Sequence, residues 1–342
     1  MTHRICAIPG DGIGLEVVPA ALRVLRALPL SLEVVEAVAG FGCFQRTGNA
    51  VPPQTLAAIA GSEATLFGAT ASPSHPVEGY RSAIVALRRH FHLYGCIRQA
   101  RSVPFAGARQ GIDLLIVREN TECLYIGRET AYGDYAEATR LISAGASRRV
   151  ARLAADLAHQ SGKRRITIVH KANILPLTCG LFRDQARMVL AEHPELQVEE
   201  MLVDTAAMRL VTDPDRFEII LTTNLFGDIL SDLVAGLTGG LGLAASANVG
   251  EPGPAIFEPV HGSAPDIAGG GIANPLATLR ASVLLLRHIQ ELEAADRLAT
   301  AIESVIAGAV LTPDLGGAAT TEQVADAVIG YLASPVAVGG AR

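Results

Sequence analysis

Apolar and polar residues follow one another along this chain in two periods, one typical of strands and one typical of helices. A short apolar run predicts a strand over 4–8, and apolar residues on one face predict a helix over 17–28. Further buried strands are predicted at 113–118, 165–170 and 217–223, each followed by polar residues. Because α/β proteins place their sites at the carboxyl ends of strands, these polar residues are the first candidates for function.

The first predicted strand leads through a glycine-rich turn, GDGIG at 10–14, into the first predicted helix. The Rossmann fingerprint for dinucleotides has the spacing G-x-G-x-x-G, whereas this turn has G-x-G-x-G. Glu33 and Glu36 lie at about the right distance along the chain for a ribose-binding carboxylate, which alone is weak support. We therefore interpret the segment as a tight strand-to-helix turn and expect the cofactor to bind elsewhere.

The composition fits an α/β enzyme: the chain has 342 residues, 49% of them hydrophobic, with 34 glycines and no tryptophan. Its net charge of −6 disfavours a nucleic-acid partner, and it lacks the run of roughly 18 apolar residues that a membrane span needs. The five cysteines are scattered, which is typical of reduced thiols, so we expect a cytoplasmic protein. The tail from Ser334 is expected to fray.

The segment TTNLFGDILSDLVAGL carries Asp228 and Asp232 four residues apart, on one face of a predicted helix. Asp228 could simply complement the helix N-terminus and Asp232 could be solvated. The apolar neighbours instead suggest surroundings in which only an arginine or a cation would make the carboxylates tolerable: Leu225, Ile229, Leu230 and Leu233. A hard divalent ion with oxygen ligands is the metal that such a pair favours.

A set of cationic side chains is a candidate anion site: Arg81, Arg88, Arg89, Arg98 and Arg118. The alternative is an ordinary solvated basic face. Arg118, however, directly follows the apolar run LLIV, where it is poorly placed for solvent and well placed to bind a carboxylate through two hydrogen bonds.

Two further residues could transfer protons. Lys171 follows the predicted strand RITIVH, and Tyr125 lies just beyond Arg118. Each could be ordinary, as a strand-end lysine and a core tyrosine. Beside a metal they would form a plausible base and acid.

Seven motifs resemble, in order and over nearly the whole chain, the metal-dependent β-decarboxylating dehydrogenases of 3-isopropylmalate, isocitrate and homoisocitrate. They are IPGDGIG, LRR…LYGCIR, VRENTE-LY, HKANIL, TTNLFGDILSDL, EPVHGSAPDIAGGGIANP and TPDLGG. The resemblance implies a two-domain α/β fold with a central mixed sheet flanked by helices, which differs from the ordinary Rossmann fold. Residues 1–98 and 252–342 would form a discontinuous cofactor-binding domain, 99–251 the substrate and dimerisation domain, and the active cleft would lie between them.

The resemblance also implies roles for individual residues. Tyr125 and Lys171 would be catalytic, with Lys171 acting across a homodimer interface. Mg²⁺ or Mn²⁺ would bind Asp228 and Asp232, together with Asp204 from the partner subunit. The substrate would be a small tricarboxylic acid, bound by Ser82, Val85, Arg88, Arg98, Arg118, Tyr125, Lys171 and Asn173.

The cofactor implied by the resemblance is NAD, held by a late loop beside the 10–14 turn. Its expected contacts are Asn173, His261, Gly262, Ser263, Ala264, Asp266, Ile267 and Asn274. Asp266 would accept hydrogen bonds from the ribose hydroxyls and repel the 2′-phosphate of NADP. Two departures from the family pattern are Gly270, where relatives often carry a charge, and Cys123, where glycine is frequent.

Among the family's substrates, the segment 120–123 resembles the tricarboxylate-using branches and GYRSAIVALRR resembles homoisocitrate dehydrogenases, which act in lysine biosynthesis by the 2-aminoadipate route. The apolar pair Ile84 and Val85 could instead cradle an isopropyl group. Homoisocitrate is therefore the expected substrate, with isocitrate as a side substrate and 3-isopropylmalate as the alternative. A non-catalytic regulatory subunit is a remote alternative, since such chains lose metal or proton-transfer residues that are present here.

Overall fold

The structure is a computed structural model that describes residues 2–75, 77–105, 107–251 and 253–333, so the tail from Ser334 lies outside the described residues. The strands are β1 (Thr2–Gly10), β2 (Ser31–Glu36), β3 (Ala64–Ala69), β4 (Gly95–Arg101), β5 (Asp113–Glu119), β6 (Glu129–Ala131), β7 (Ala136–Ala138), β8 (Arg165–His170), β9 (Gln197–Leu202), β10 (Ile219–Thr222), β11 (Ala245–Val249) and β12 (Ala255–Pro259). The helices are α1 (Gly14–Arg26), α2 (Phe41–Thr47), α3 (Pro53–Ala60), α4 (Ala83–His90), α5 (Ala144–Ser161), α6 (Thr178–Leu190), α7 (Val203–Thr212), α8 (Asn224–Leu237), α9 (Leu276–His288), α10 (Leu292–Ala307) and α11 (Thr321–Ala333).

The predicted strands and the first predicted helix are confirmed as β1, β5, β8, β10 and α1. Apart from the hairpin of β6 and β7, the strands belong to a large mixed sheet, which confirms the expected α/β class. The last predicted strand is shorter than its apolar run, because a 3₁₀ turn over Pro214–Arg216 precedes it. No helix among the described residues is long and apolar enough to cross a membrane.

The chain divides into two compact units. Unit 1 comprises Met1–Ile84, Val103–Phe105 and Ile256–Arg342, and unit 2 comprises Val85–Ser102 and Ala106–Ala255. Residues 85–98, expected in the cofactor-binding domain, therefore group with unit 2. The reason is that β4 pairs with β5 and β11, which both belong to unit 2.

In unit 1 the strand order is β2-β1-β3-β12, and β1 runs parallel to both β2 and β3. Every residue of β3 is buried, as expected for a parallel strand covered on both faces. Helix α1 packs against β1, β3, α9 and α11. The turn between β1 and α1 is as tight as the sequence predicts: Gly10 has φ +79°, and a Cβ there would lie 2.0 Å from the Ala69 carbonyl oxygen.

In unit 2 the strand order is β11-β4-β5-β10-β8-β9, in which β4 is antiparallel to both of its neighbours and the β5, β10, β8 and β9 pairings are parallel. Alternate residues of β5 belong to different cores, as the two faces of a strand require. Leu115 and Val117 pack with α5 and α6, whereas Leu114 and Ile116 pack with α7 and α8. The carboxyl ends of the parallel strands β5, β8 and β10 lead to Arg118, to Lys171 and to helix α8 with Asp228 and Asp232.

Candidate functional site

Arg118, at the carboxyl end of β5, is the centre of a hydrogen-bonded cluster in unit 2. Its side chain is 1% exposed, as its place after the apolar run LLIV predicts. Its Nε and Nη2 donate to Asn224 Oδ1 at 3.0 and 2.6 Å, and its Nη1 donates to Asp228 Oδ1. The guanidinium also lies over the ring of Tyr125, 5.0 Å from its centroid. A buried cation is thus balanced by one carboxylate and one amide, as burial of charge demands.

The carboxylates of Asp228 and Asp232 share one side of α8, as their spacing predicts. Arg98 donates from Nη1 to Asp232 Oδ1 at 2.7 Å and to Ser231 Oγ at 2.5 Å, and from Nη2 to Asp228 Oδ1 at 3.5 Å. The expectation of apolar surroundings holds for Leu230, which is buried, and the carboxylates do contact arginines. It is wrong for Ile229, which is 58% exposed, and the Asp232 side chain is 53% exposed. Partial burial raises the pKa of Asp228, but the charge of Arg118 and the hydrogen bond from Tyr125 outweigh it, so this pKa lies below its ordinary value. Both guanidinium groups therefore stabilise an ionised Asp228.

Tyr125 completes this cluster. Its hydroxyl donates to Asp228 Oδ2 at 2.5 Å, and its backbone oxygen accepts a hydrogen bond from Arg89 Nη2 at 2.6 Å. Burial, followed by the hydrogen bond to Asp228, raises the pKa of the Tyr125 hydroxyl above its ordinary value. The phenol therefore carries its proton at neutral pH, next to an acceptor.

Lys171 and Asp204 form a second pair. Lys171 follows β8 and donates from Nζ to Asp204 Oδ1, in the first turn of α7, at 2.5 Å. That hydrogen bond lowers the pKa of Asp204, whose side chain is 62% exposed. Within one chain, Asp204 is not close enough to Asp228 and Asp232 for the three to bind one metal ion. Across the described ranges, a single group of three metal-binding side chains has its ligand atoms within 4.8 Å of one another, and that group lies elsewhere.

The remaining expected substrate residues lie on or near α4 and after β8. Arg88 is buried in α4 and Val85 is half-buried one turn before it, whereas Ser82 precedes the helix. Arg81 is exposed, in keeping with the solvated alternative. Asn173 is exposed in the turn that follows Lys171.

The expected cofactor loop lies in unit 1, against the start of α1. Ser263 accepts a hydrogen bond on its carbonyl oxygen from Ile13 N at 2.9 Å, and a Cβ on Gly12 would lie 2.1 Å from the same oxygen. Ala264 and Ile267 pack against the core of Ile13, Val17 and Ala273. The 10–14 turn therefore supports this loop, as the resemblance implies.

His261 and Asn274, on this loop, differ in whether their polar atoms already have hydrogen-bond partners within the chain. Nδ1 of His261 lies 3.0 Å from the Gly262 carbonyl oxygen and therefore donates to it, while Nε2 is buried with no partner among the described residues. Burial lowers the pKa of His261, so the imidazole is neutral and Nε2 can accept a hydrogen bond. Asn274 is instead engaged within unit 1: its amide donates to Asp314 at 3.0 Å and its Oδ1 accepts from Leu276 N. Asp266 and Gly262 are exposed.

The structure also shows roles that sequence reasoning missed. Asn224 is the main partner of Arg118, and the signal for it was an asparagine directly after the strand predicted over 217–223. Asn120, taken as a mark of tricarboxylate users, is buried and donates to Asn248 Oδ1 at 2.9 Å. Cys123, from the same segment, is fully buried with φ +68°, a conformation that favours glycine. Both residues are therefore buried, Asn120 in a side-chain hydrogen bond and Cys123 in a backbone conformation that favours glycine.

Comparison with known proteins agrees with the fold and the motifs. Residues 4–328 match the family model for isocitrate/isopropylmalate dehydrogenase. A protein of Thermus thermophilus named isocitrate/homoisocitrate dehydrogenase is 52% identical over 334 residues, which cover 98% of this chain and 100% of the relative. A 3-isopropylmalate dehydrogenase of Methanothermobacter thermautotrophicus is 46% identical over 330 residues, which cover 96% and 98%.

Among solved structures, the crystal structure of isocitrate dehydrogenase from Methylococcus capsulatus superimposes with a TM-score of 0.93 at 40% identity, covering 97% of this chain and 100% of that one. A likeness of this extent in sequence and in fold identifies the family. The chain belongs to the isocitrate/isopropylmalate dehydrogenase family, a family of NAD-dependent decarboxylating dehydrogenases.

Proposed function

We propose that this enzyme oxidises and decarboxylates homoisocitrate to 2-oxoadipate and CO₂, with isocitrate as a side substrate. The observation that carries the proposed reaction is the cluster of Arg98, Arg118, Tyr125 and Asp228, which combines anion-binding groups with a protonated phenol and an ionised carboxylate. The Thermus thermophilus relative, whose name includes homoisocitrate, supports this choice of substrate. Such an enzyme would serve lysine biosynthesis through 2-aminoadipate.

The second candidate is 3-isopropylmalate dehydrogenase. Two relatives of that name, from Methanothermobacter thermautotrophicus and Archaeoglobus fulgidus, are 46% and 47% identical to this chain. The apolar pair Ile84 and Val85, both half-buried, would suit a branched side chain. The proposals share the reaction and differ only in the substituent that the pocket accepts.

The residues fit a divalent metal. Asp228 and Asp232 offer oxygen ligands from one side of α8, and the lowered pKa keeps Asp228 ionised, as Mg²⁺ or Mn²⁺ requires. Arg98 and Arg118 already contact these carboxylates, so they are placed to bind the carboxylates of a substrate that chelates the same ion.

The loop in unit 1 fits NAD. The buried Nε2 of His261 lacks a protein partner and could accept a hydrogen bond from an adenine amino group. Asp266 is exposed on the same loop, where a carboxylate suits ribose hydroxyls and repels a 2′-phosphate. We therefore assign the cofactor loop to unit 1, and the metal ligands with Arg88, Arg98 and Arg118 to unit 2.

When bound, NAD would accept a hydride and the metal would act as a Lewis acid. The chain's own residues supply binding and proton transfer. Arg88, Arg98 and Arg118 hold the substrate's carboxylates, and Lys171, as the neutral amine, takes the proton of the hydroxyl that is oxidised. Tyr125 holds its proton because of its raised pKa, and delivers it to the carbon that loses CO₂.

The proposed site is shared between two subunits. Lys171 and Asp204 pair with each other on a side of unit 2 whose neighbouring apolar side chains are exposed: Ile174 (66%), Leu177 (86%), Met208 (53%) and Val211 (46%). Exposed apolar residues concentrated in this way are typical of a surface that another chain covers. A second copy would bring Lys171 and Asp204 to the partner's Asp228 and Asp232.

The direct test is NADH formation by the purified protein with homoisocitrate, with 2-oxoadipate identified by mass spectrometry. Activity should require Mg²⁺ or Mn²⁺, should disappear in Asp228→Asn and Asp232→Asn while both variants stay folded, and should be lower with NADP. Turnover that persists in a chelator-treated Asp228→Asn protein would contradict the metal assignment.

A further inference from the structure

A cluster of two histidines and one glutamate lies away from the proposed active site. His159 is in the last turn of α5, and His193 and Glu195 lie in the turn between α6 and β9. His159 Nε2 is 2.6 Å from Glu195 Oε1, and His193 Nδ1 is 3.7 Å from the same oxygen. Within the described ranges, no other three side chains of metal-binding type bring their ligand atoms within 4.8 Å of one another.

The distances suit a common ion. Zinc binds imidazole nitrogen and carboxylate oxygen at about 2.0–2.2 Å, which separates two tetrahedral ligands by about 3.3–3.6 Å. On binding zinc, the distance from His159 Nε2 to Glu195 Oε1 would lengthen and that from His193 Nδ1 to the same oxygen would shorten, each by less than about 1 Å. His159 and Glu195 are exposed, so their side chains can make this adjustment without repacking a core.

The local structure limits how far the backbone segments that carry these three side chains can move apart. Helices α5 and α6 pack against each other, and Leu196 N donates to the His193 oxygen at 3.0 Å, which closes the turn. Pro194, between the two ligands of the turn, has a fixed φ.

We propose that His159, His193 and Glu195 bind one divalent transition-metal ion, with Zn²⁺ as the reference case and water completing the coordination. Two imidazoles with one carboxylate favour Zn²⁺, Ni²⁺ or Cu²⁺, whereas a site built from carboxylates favours Mg²⁺ or Mn²⁺. The ion would link the end of α5 to the α6–β9 turn and stabilise unit 2 without taking part in catalysis.

The experiment is zinc titration by calorimetry of the full-length protein, in the presence of saturating Mg²⁺. We expect one Zn²⁺ per chain and a rise in melting temperature. His159→Gln, His193→Gln and Glu195→Gln should each weaken binding by at least about tenfold, the scale on which even outer-shell partners alter metal affinity. The exposed His75 provides the control: His75→Gln should bind zinc like the wild type.

Two further readouts separate this site from the active site. Asp228→Asn should still bind zinc, and the three cluster variants should keep the circular dichroism spectrum and the Mg²⁺-supported activity of the wild type. Equal zinc affinity in the wild type and the cluster variants would overturn the proposal, as would a wild type that binds no zinc under saturating Mg²⁺.

Discussion

Adding a single methyl group at Gly227, by the substitution Gly227→Ala, should disturb the proposed site strongly. It lies on α8 beside Arg118, and a Cβ at this position would lie 2.7 Å from Arg118 Cγ and 2.8 Å from its Cβ. These atoms belong to the root of a buried side chain and cannot swing away. Because ordinary contacts begin near 3.4 Å, Arg118 must shift by about 0.7 Å in Gly227→Ala, the difference between 3.4 and 2.7 Å.

The same helix supplies a matched control. A Cβ on Gly236 would meet nothing within 4 Å, so Gly236→Ala should gain the usual helix propensity, about 0.5–1 kcal/mol. Gly227→Ala would gain a similar amount but pay an overpacking cost of about 1–3 kcal/mol. We therefore expect Gly227→Ala to be about 1–3 kcal/mol less stable than Gly236→Ala.

The activity of the two variants should differ as well. Displacing a positioning group by 1 Å can cost about a hundredfold in rate, so the shift of Arg118 should lower kcat/KM by about tenfold or more. Urea unfolding and steady-state NADH formation measure the two effects on the same preparations. If Gly227→Ala proves as stable and as active as Gly236→Ala, the close packing of α8 on Arg118 is wrong.

Three other predictions concern strain, pH and assembly. Because Cys123 has φ +68° and ψ −148°, Cys123→Gly should be more stable than Cys123→Ala by about 1 kcal/mol or more. If the alanine variant were instead the more stable of the two, the backbone at this position would not be strained. His3 lies between two glutamates whose hydrogen bonds outweigh its burial and raise its pKa above 6.5. The stability that protonated His3 adds to the fold is therefore complete below pH 6.5 and is lost as pH rises through the raised pKa. The urea midpoint should fall over this range in the wild type and not in His3→Gln, and the same pH dependence in both proteins would refute the prediction. Coexpressed Lys171→Ala and Tyr125→Phe chains should regain activity that neither variant has alone, and an inactive mixture would argue against a shared site.

The sequence predicted those parts of the site that depend on local pattern. The apolar run before Arg118 predicted its burial, and the four-residue spacing of Asp228 and Asp232 predicted a common helix side. Contacts distant along the chain were not predictable, such as the bond from Arg118 to Asn224, because no periodic pattern records which strand end meets which helix.

The conformation of Cys123 shows a second limit. Its positive φ arises from the fold of the segment after β5, while the residue itself gives no such signal, since only glycine, asparagine and aspartate commonly mark that conformation. The boundary of the units has a similar cause. Residues 85–98 join unit 2 through the pairing of β4, a tertiary property that composition does not reveal.

The most direct test of the proposed function is kcat/KM for homoisocitrate, isocitrate and 3-isopropylmalate, measured for the wild type beside Val85→Arg. Val85 is half-buried on α4, three residues before the buried Arg88, so the two side chains share a face of the helix. One methylene in such a pocket discriminates by about 1–3 kcal/mol, so homoisocitrate should exceed isocitrate by roughly tenfold or more. Val85→Arg should shift the preference towards isocitrate and remove any activity on 3-isopropylmalate. A wild type that works best on 3-isopropylmalate would contradict the account.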